Sequence, residues 1–197
     1  MKILYIALAV IALLFIASQI YFLIYDSRIE THKYRVIKDI GDVQIREYEP
    51  ALFAQVTVAG NMFESQNQAF RKLAGYIFGG NEHSESISMT APVQMQDDEQ
   101  GSEMRFMVPS KYSIDELPKP NDSSIQFTEE KGYYVAAIQF GGFYNKQRYE
   151  KYKEMLQQAV HEHSLETVDD FFFQGYNAPY QLIGRKNEVL VKIKSPS

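Results

Sequence analysis

The chain has 197 residues, a formal net charge of −5 and neither Cys nor Trp. That length holds one ordinary domain or two very small ones. Without Cys there can be no disulfide, zinc–thiolate site, iron–sulfur cluster, thiolate-bound cofactor or cysteine nucleophile, and the acidic balance argues against a general nucleic-acid binder, which needs a basic footprint.

Residues 3–25 form an uncharged run in which only Ser18 and Gln19 are clearly polar. As a helix rising about 1.5 Å per residue the run spans roughly 34 Å, enough for a bilayer core. Tyr5, Tyr21 and Tyr25 stand near its ends, at the level where amphipathic rings favour lipid headgroups. The run exceeds the apolar stretch of a cleaved signal peptide, and the nearest small-residue site, Ile16-Ala17-Ser18, is a poor one. The reading is a transmembrane anchor over residues 1–25, a stalk over 26–33 that carries His32, and a folded domain over 34–194. A Lys/Arg count keeps the domain in the cytoplasm. A short tail before a large domain is instead the layout of a signal anchor that exports it. The expectation is a single-pass protein with its domain on the non-cytoplasmic, periplasmic side, with the charge count pointing the other way.

From residue 34 onward short alternating segments dominate. Val43 and Ile45 precede a break at Glu49-Pro50. Leu52, Ala54, Val56 and Val58 then point one way along a strand while Phe53, Gln55 and Thr57 point the other. Asn61, with Glu64 three residues later, caps a helix whose apolar face is Phe63, Phe70, Leu73, Ala74, Ile77 and Phe78, and Gly79-Gly80-Asn81 ends it. Strands follow at residues 87–96, interrupted by Pro92, and at 104–108, and an irregular connector at 117–121. The same order then returns: strands at 124–129 and 133–140, a helix at about 146–163 after Gly141-Gly142, and strands at 170–176 and 188–193. Each half reads strand, strand, helix, strand, strand. The whole is an α+β domain: eight antiparallel strands curving into a distorted barrel with two helices on one side.

Chemistry-bearing motifs are few. There is no nucleophile elbow, Walker loop, dinucleotide glycine fingerprint or H-E-x-x-H. His161 and His163 diverge by about 200° on a helix and cannot share one metal. His83 lies in a polar loop. Glu129-Glu130 and Asp169-Asp170 face opposite sides of their strands. No catalytic residue and no metal site is assigned. Pro92 within Ile87-Ser88-Met89-Thr90-Ala91-Pro92-Val93-Gln94-Met95 marks either a bend of the sheet or a strand that lines a groove.

Four stretches, in order, resemble the SOUL haem-binding protein family. They are Val43-Gln44-Ile45-Arg46-Glu47-Tyr48-Glu49-Pro50; Tyr76-Ile77-Phe78-Gly79-Gly80-Asn81 with Ile87-Ser88-Met89-Thr90-Ala91-Pro92-Val93; Met104-Arg105-Phe106-Met107-Val108-Pro109; and Gly175-Tyr176-Asn177-Ala178-Pro179 running into Arg185-Lys186-Asn187-Glu188-Val189. The resemblance implies a distorted β-barrel with two helices and reversible binding of haem or another tetrapyrrole, without a catalytic step. It places the ligand in an apolar cleft formed by Phe70, Arg71, Ala74 and Gly75 of the first amphipathic helix and by Tyr180, Gln181 and Leu182 of the C-terminal loop. Glu47 stands where some members carry a proposed axial His, and a carboxylate replaces imidazole poorly on haem iron. Arg71 and Lys72 are the basic residues left near the helix to meet propionates. The functional expectation is a membrane-anchored carrier or buffer of haem rather than an enzyme. A hydrolase of small hydrophobic substrates and a peptide- or protein-binding module are the alternatives.

Overall fold

The computed structural model describes residues 2–26 and 28–196, apart from the side chains at 23, 25 and 26, so that Tyr25 of the expected aromatic belt lies outside the described side chains. In chain order the elements are α1 (Lys2–Asp26), β1 (Glu30–Thr31), β2 (Tyr34–Ile40), β3 (Val43–Tyr48), β4 (Ala51–Val58), α2 (Met62–Ile77), β5 (Thr90–Ala91), β6 (Val93–Asp98) and β7 (Gly101–Met107). They continue with β8 (Gln126–Glu130), β9 (Tyr133–Gly141), α3 (Lys146–Glu162), β10 (Thr167–Gly175) and β11 (Lys186–Ile193).

Nine strands make one antiparallel sheet in the order β2-β3-β9-β11-β10-β6-β7-β4-β8. It curls into a half-barrel whose edges are β2 and β8. The expected α+β class and the two strand–strand–helix–strand–strand halves are both present. The halves interlock: leaving β2 aside, the order reads the same when they are exchanged about the β6–β10 seam, and each first strand pairs with the other half, β3 with β9 and β8 with β4.

Period-two alternation sets the faces of this sheet. Ala54, Val56, Met104, Phe106, Ile138, Phe173, Val189 and Val191 turn to one face, where α2 covers β4, β6 and β7 and α3 covers β9, β10 and β11. The opposite face carries a small aromatic cluster around Tyr48, Phe172 and Leu190. Beside it lie charge pairs: Arg46 to Glu188 at 2.9 Å, and Glu130 to both Arg105 and Lys192 at 2.8 Å. Burying such charges requires pairing.

α2 starts where Asn61 Oδ1 accepts from the backbone N–H groups of Phe63 and Glu64, at 3.0 and 3.2 Å. It ends at Gly79, whose φ is +106°, and Gly80, whose N–H donates to the Gly75 carbonyl at 2.8 Å. A Cβ on Gly80 would stand 2.6 Å from that oxygen, so only glycine fits this close approach.

Three features depart from the sequence reading. The strand β2 was not expected; its residues from Arg35 to Asp39 are all exposed, so it lacks a hydrophobic face. The run 87–96 divides at Pro92 into β6, in the main sheet, and β5, which pairs in parallel with β1 outside it. That pairing draws the expected stalk against the domain. The His32 N–H donates to the Ala91 carbonyl at 3.1 Å, and its ring is buried among Tyr48, Phe53 and Tyr133.

α1 reaches a mean hydropathy of 2.6 in its most apolar stretch, and its span Lys2–Phe22 is long enough to cross a bilayer. Its C-terminal part touches the domain. Gln19 is buried there, and its Oε1 accepts from the Leu182 N–H at 3.0 Å. The Phe22 ring lies 4.6 Å from that of Tyr180.

Candidate functional site

A cleft of about 350 Å³ opens over the β6–β10 seam, between α2 and the loop that joins β10 to β11. Its floor is Val93 and Met95 of β6, Met104 of β7 and Phe173 of β10, which follow the alternation of strands that pair Met95 with Met104 and with Phe173. One wall is Gln66, Asn67 and Phe70, brought together by the three- and four-residue spacing of a helix. The other is Phe143 and Tyr144, just after the tight turn at Gly141-Gly142, with Asn177, Pro179 and Arg185 of the C-terminal loop.

The polar groups of this cleft are held in place. The Tyr144 hydroxyl donates to Gln66 Oε1, tying the two walls together, and burial pushes its phenol above the usual range. Tyr144 is therefore protonated at neutral pH. Arg185 donates from one terminal nitrogen to the carbonyls of Ala178 and Gln181, at 2.8 and 2.7 Å. Its guanidinium carbon lies 4.4 Å over the Phe143 ring. The arrangement combines aromatic and aliphatic surface, amide groups and one guanidinium. It suits a flat apolar molecule bearing an acidic group.

Of the seven residues expected at the site, Phe70 lines the cleft. Arg71 is exposed on the helix, its Nε donating to the Asn67 carbonyl at 3.1 Å. Ala74 is half-buried one turn further along, and Gly75 faces open space, outside the lining residues. Tyr180 and Leu182 lie on the outer rim, toward α1. Gln181 is buried inside the loop, accepting from Asn177 Nδ2 at 2.9 Å and donating to the Ile183 carbonyl at 3.3 Å. Lys72 points elsewhere, to Asp122 at 2.7 Å. Glu47 also lies outside the cleft, paired with Arg35 and accepting from the Tyr134 hydroxyl. The helical spacing of Gln66, Asn67 and Phe70 carried a signal for one wall that the sequence reading passed over. Among the described residues, Arg185 is the one basic residue that lines the cleft.

A second cleft, of about 450 Å³, is bordered by Glu30, His32, Lys33, Glu49, Glu130 and Lys131. Pro50, Leu52, Met107 and Val108 supply its apolar surface. The first offers aromatic and aliphatic side chains to the faces of a flat macrocycle and one guanidinium, Arg185, to an acid group. Among the described residues, no His lines it to ligate iron.

Fold and cleft together define a class, the curled α+β domain whose sheet, first covering helix and last connecting loop leave an apolar cleft between them. Solved structures share the fold: the C-terminal domain of EcmrR, with a TM-score of 0.60 at 10% identity over 83% of this chain and 99% of that one, and a hydrolase from Listeria innocua, with 0.54 at 8% over 80% and 94%. The family described as "SOUL heme-binding protein" matches residues 29–192, and the chain belongs to it. Similar relatives include Heme-binding protein 1 of Bos taurus, 30% identical over 177 residues that cover 83% of this chain and 92% of the relative. Heme-binding protein 2 of Mus musculus is 29% identical over 186 residues, covering 87% and 90%.

Proposed function

We propose that the protein binds haem or a related tetrapyrrole reversibly in the cleft between α2 and the β10–β11 loop. It acts as a carrier or buffer, held to a membrane by residues 3–25. The observation that carries this reading is an apolar, aromatic-walled cleft with Arg185 at its edge in a chain of this family. Phe70, Phe143 and the Met95–Met104 floor would meet the faces of the macrocycle. Arg185, with Arg71 on the adjoining helix surface, would meet propionates. Burial of apolar area at about 25 cal/mol per Å² supports binding without an axial bond to iron. The lining groups bind and orient, which is the work of a binding protein rather than of a catalyst. The domain would stand on the periplasmic side, as the signal-anchor layout implies, and protease protection in intact cells tests that.

The test is a haemin titration of the full chain in lipid nanodiscs, with empty nanodiscs subtracted, following the Soret band. A saturable shift at micromolar haemin is expected. Spectra identical to those of empty nanodiscs would overturn the reading.

A further inference from the structure

The loop that rims the cleft is bonded to α1 at a definite height. Leu182 is tied to Gln19 and Tyr180 packs on Phe22. Gln19 stands six residues before Tyr25, the end of the uncharged run, and so about 9 Å of helix rise below it. The run spans roughly 34 Å against about 30 Å of hydrocarbon. Even if all the surplus projects on the domain side, Leu182 lies about 5 Å inside the hydrocarbon boundary, and Tyr180 lies at it.

The composition and bonding of the loop match that position. Tyr180, Leu182 and Ile183 present large apolar side chains that are 57%, 46% and 56% exposed. Irregular backbone at this depth needs its polar groups satisfied from within the protein. Here the Gln181 N–H donates to the Ala178 carbonyl at 3.1 Å, the Gln181 side chain serves the Ile183 carbonyl, Arg185 serves those of Ala178 and Gln181, and Gln19 serves the Leu182 N–H. In return Leu182 satisfies the Gln19 amide oxygen, which would be costly left alone in lipid. This accounts for a buried Gln181 beneath an apolar tip.

We propose that residues 180–183 form a lip inserted into the lipid bilayer, so that the cleft opens at the membrane surface and exchanges its ligand with lipid rather than with bulk water. The inference rests on the reading of α1 as a membrane span.

Because the chain has no Cys, single cysteines report cleanly. Full-length variants Ile183→Cys, Leu182→Cys, Leu13→Cys and Glu99→Cys are labelled with an environment-sensitive fluorophore and placed in phosphatidylcholine vesicles, with and without doxyl groups, carried high on the acyl chains in one set and near their ends in another. Glu99 follows Asp98, the last residue of β6, at the end away from the Val93–Gly175 pairing, and serves as the aqueous control. The expected result is blue-shifted, doxyl-quenched emission at 183, 182 and 13, and none at 99. Quenching at 13 with labels at 182 and 183 behaving like 99 would overturn the lip and leave the anchor standing. Absence of quenching at 13 would overturn the anchor, and the lip with it.

Discussion

Replacing Phe70 by alanine probes the cleft at the side chain common to the sequence expectation and the observed wall. A phenylalanine presents on the order of 200 Å², and Phe70 is 39% exposed, so roughly 80 Å² is available to a ligand. At about 25 cal/mol per Å² that area contributes about 2 kcal/mol to binding an apolar macrocycle, roughly a 30-fold change in Kd. The rest of the ring packs against Phe106, 5.4 Å between centroids, so the variant also loses some stability, and a thermal melt establishes that it is folded at the titration temperature. The assay is the haemin titration described above, run on the two proteins side by side. A folded Phe70→Ala protein with Kd within about threefold of the parent would refute the placement of the ligand against α2.

Other expectations concern the frame that holds the cleft. Glu188→Gln leaves the buried Arg46 guanidinium without its countercharge, and unfolding free energy should fall by about 3–5 kcal/mol, read from urea midpoints. Burial raises the Glu188 carboxyl, but the hydrogen bond and charge of Arg46, with Lys186, carry it below its ordinary value. Its contribution is therefore complete above the unfolded glutamate pKa of about 4.3 and is lost as pH falls through the lower folded value. Glu188→Gln should lack that part of the acid limb. Burial likewise lowers the pKa of His32, opposed by its bond to the Glu49 carbonyl, so its neutral form is stabilising above about pH 6.5 and becomes costly below it. Melting temperature should drop between about pH 7 and pH 5, less steeply in His32→Gln. Asn61→Ala removes both capping bonds of α2 and should cost about 1 kcal/mol by chemical denaturation, with haemin affinity little changed.

Local rules made much of this fold readable. Asn61 and Gly79-Gly80 mark both ends of α2, and the alternation through Ala54, Val56 and Val58 gives the buried face of β4. The edge strand β2 escaped because an exposed edge needs no alternating pattern. His32 escaped because its burial depends on the pairing of β1 with β5, sixty residues away in the register of Glu30 and Thr90. The site divided in the same way. Helical spacing sets Phe70 on the apolar face of α2 and the family resemblance implies its place at the site, whereas the orientation of Gln181 into its own loop depends on Asn177, Ile183 and the turn between them. Arg46 and Glu188 meet across 142 positions, a distance at which no periodicity in one chain speaks.

The exchange of first strands between the halves has a consequence for how the chain could be divided. A cut in the connector at residues 117–121 would leave two fragments, each missing a neighbour for three of its strands, so neither should hold its shape alone. The cleft proposed for the ligand straddles the seam, taking α2, β6 and β7 from one fragment and β10 with its following loop from the other. A bound macrocycle would therefore act as a clasp, favouring reassembly of the two pieces by mass action.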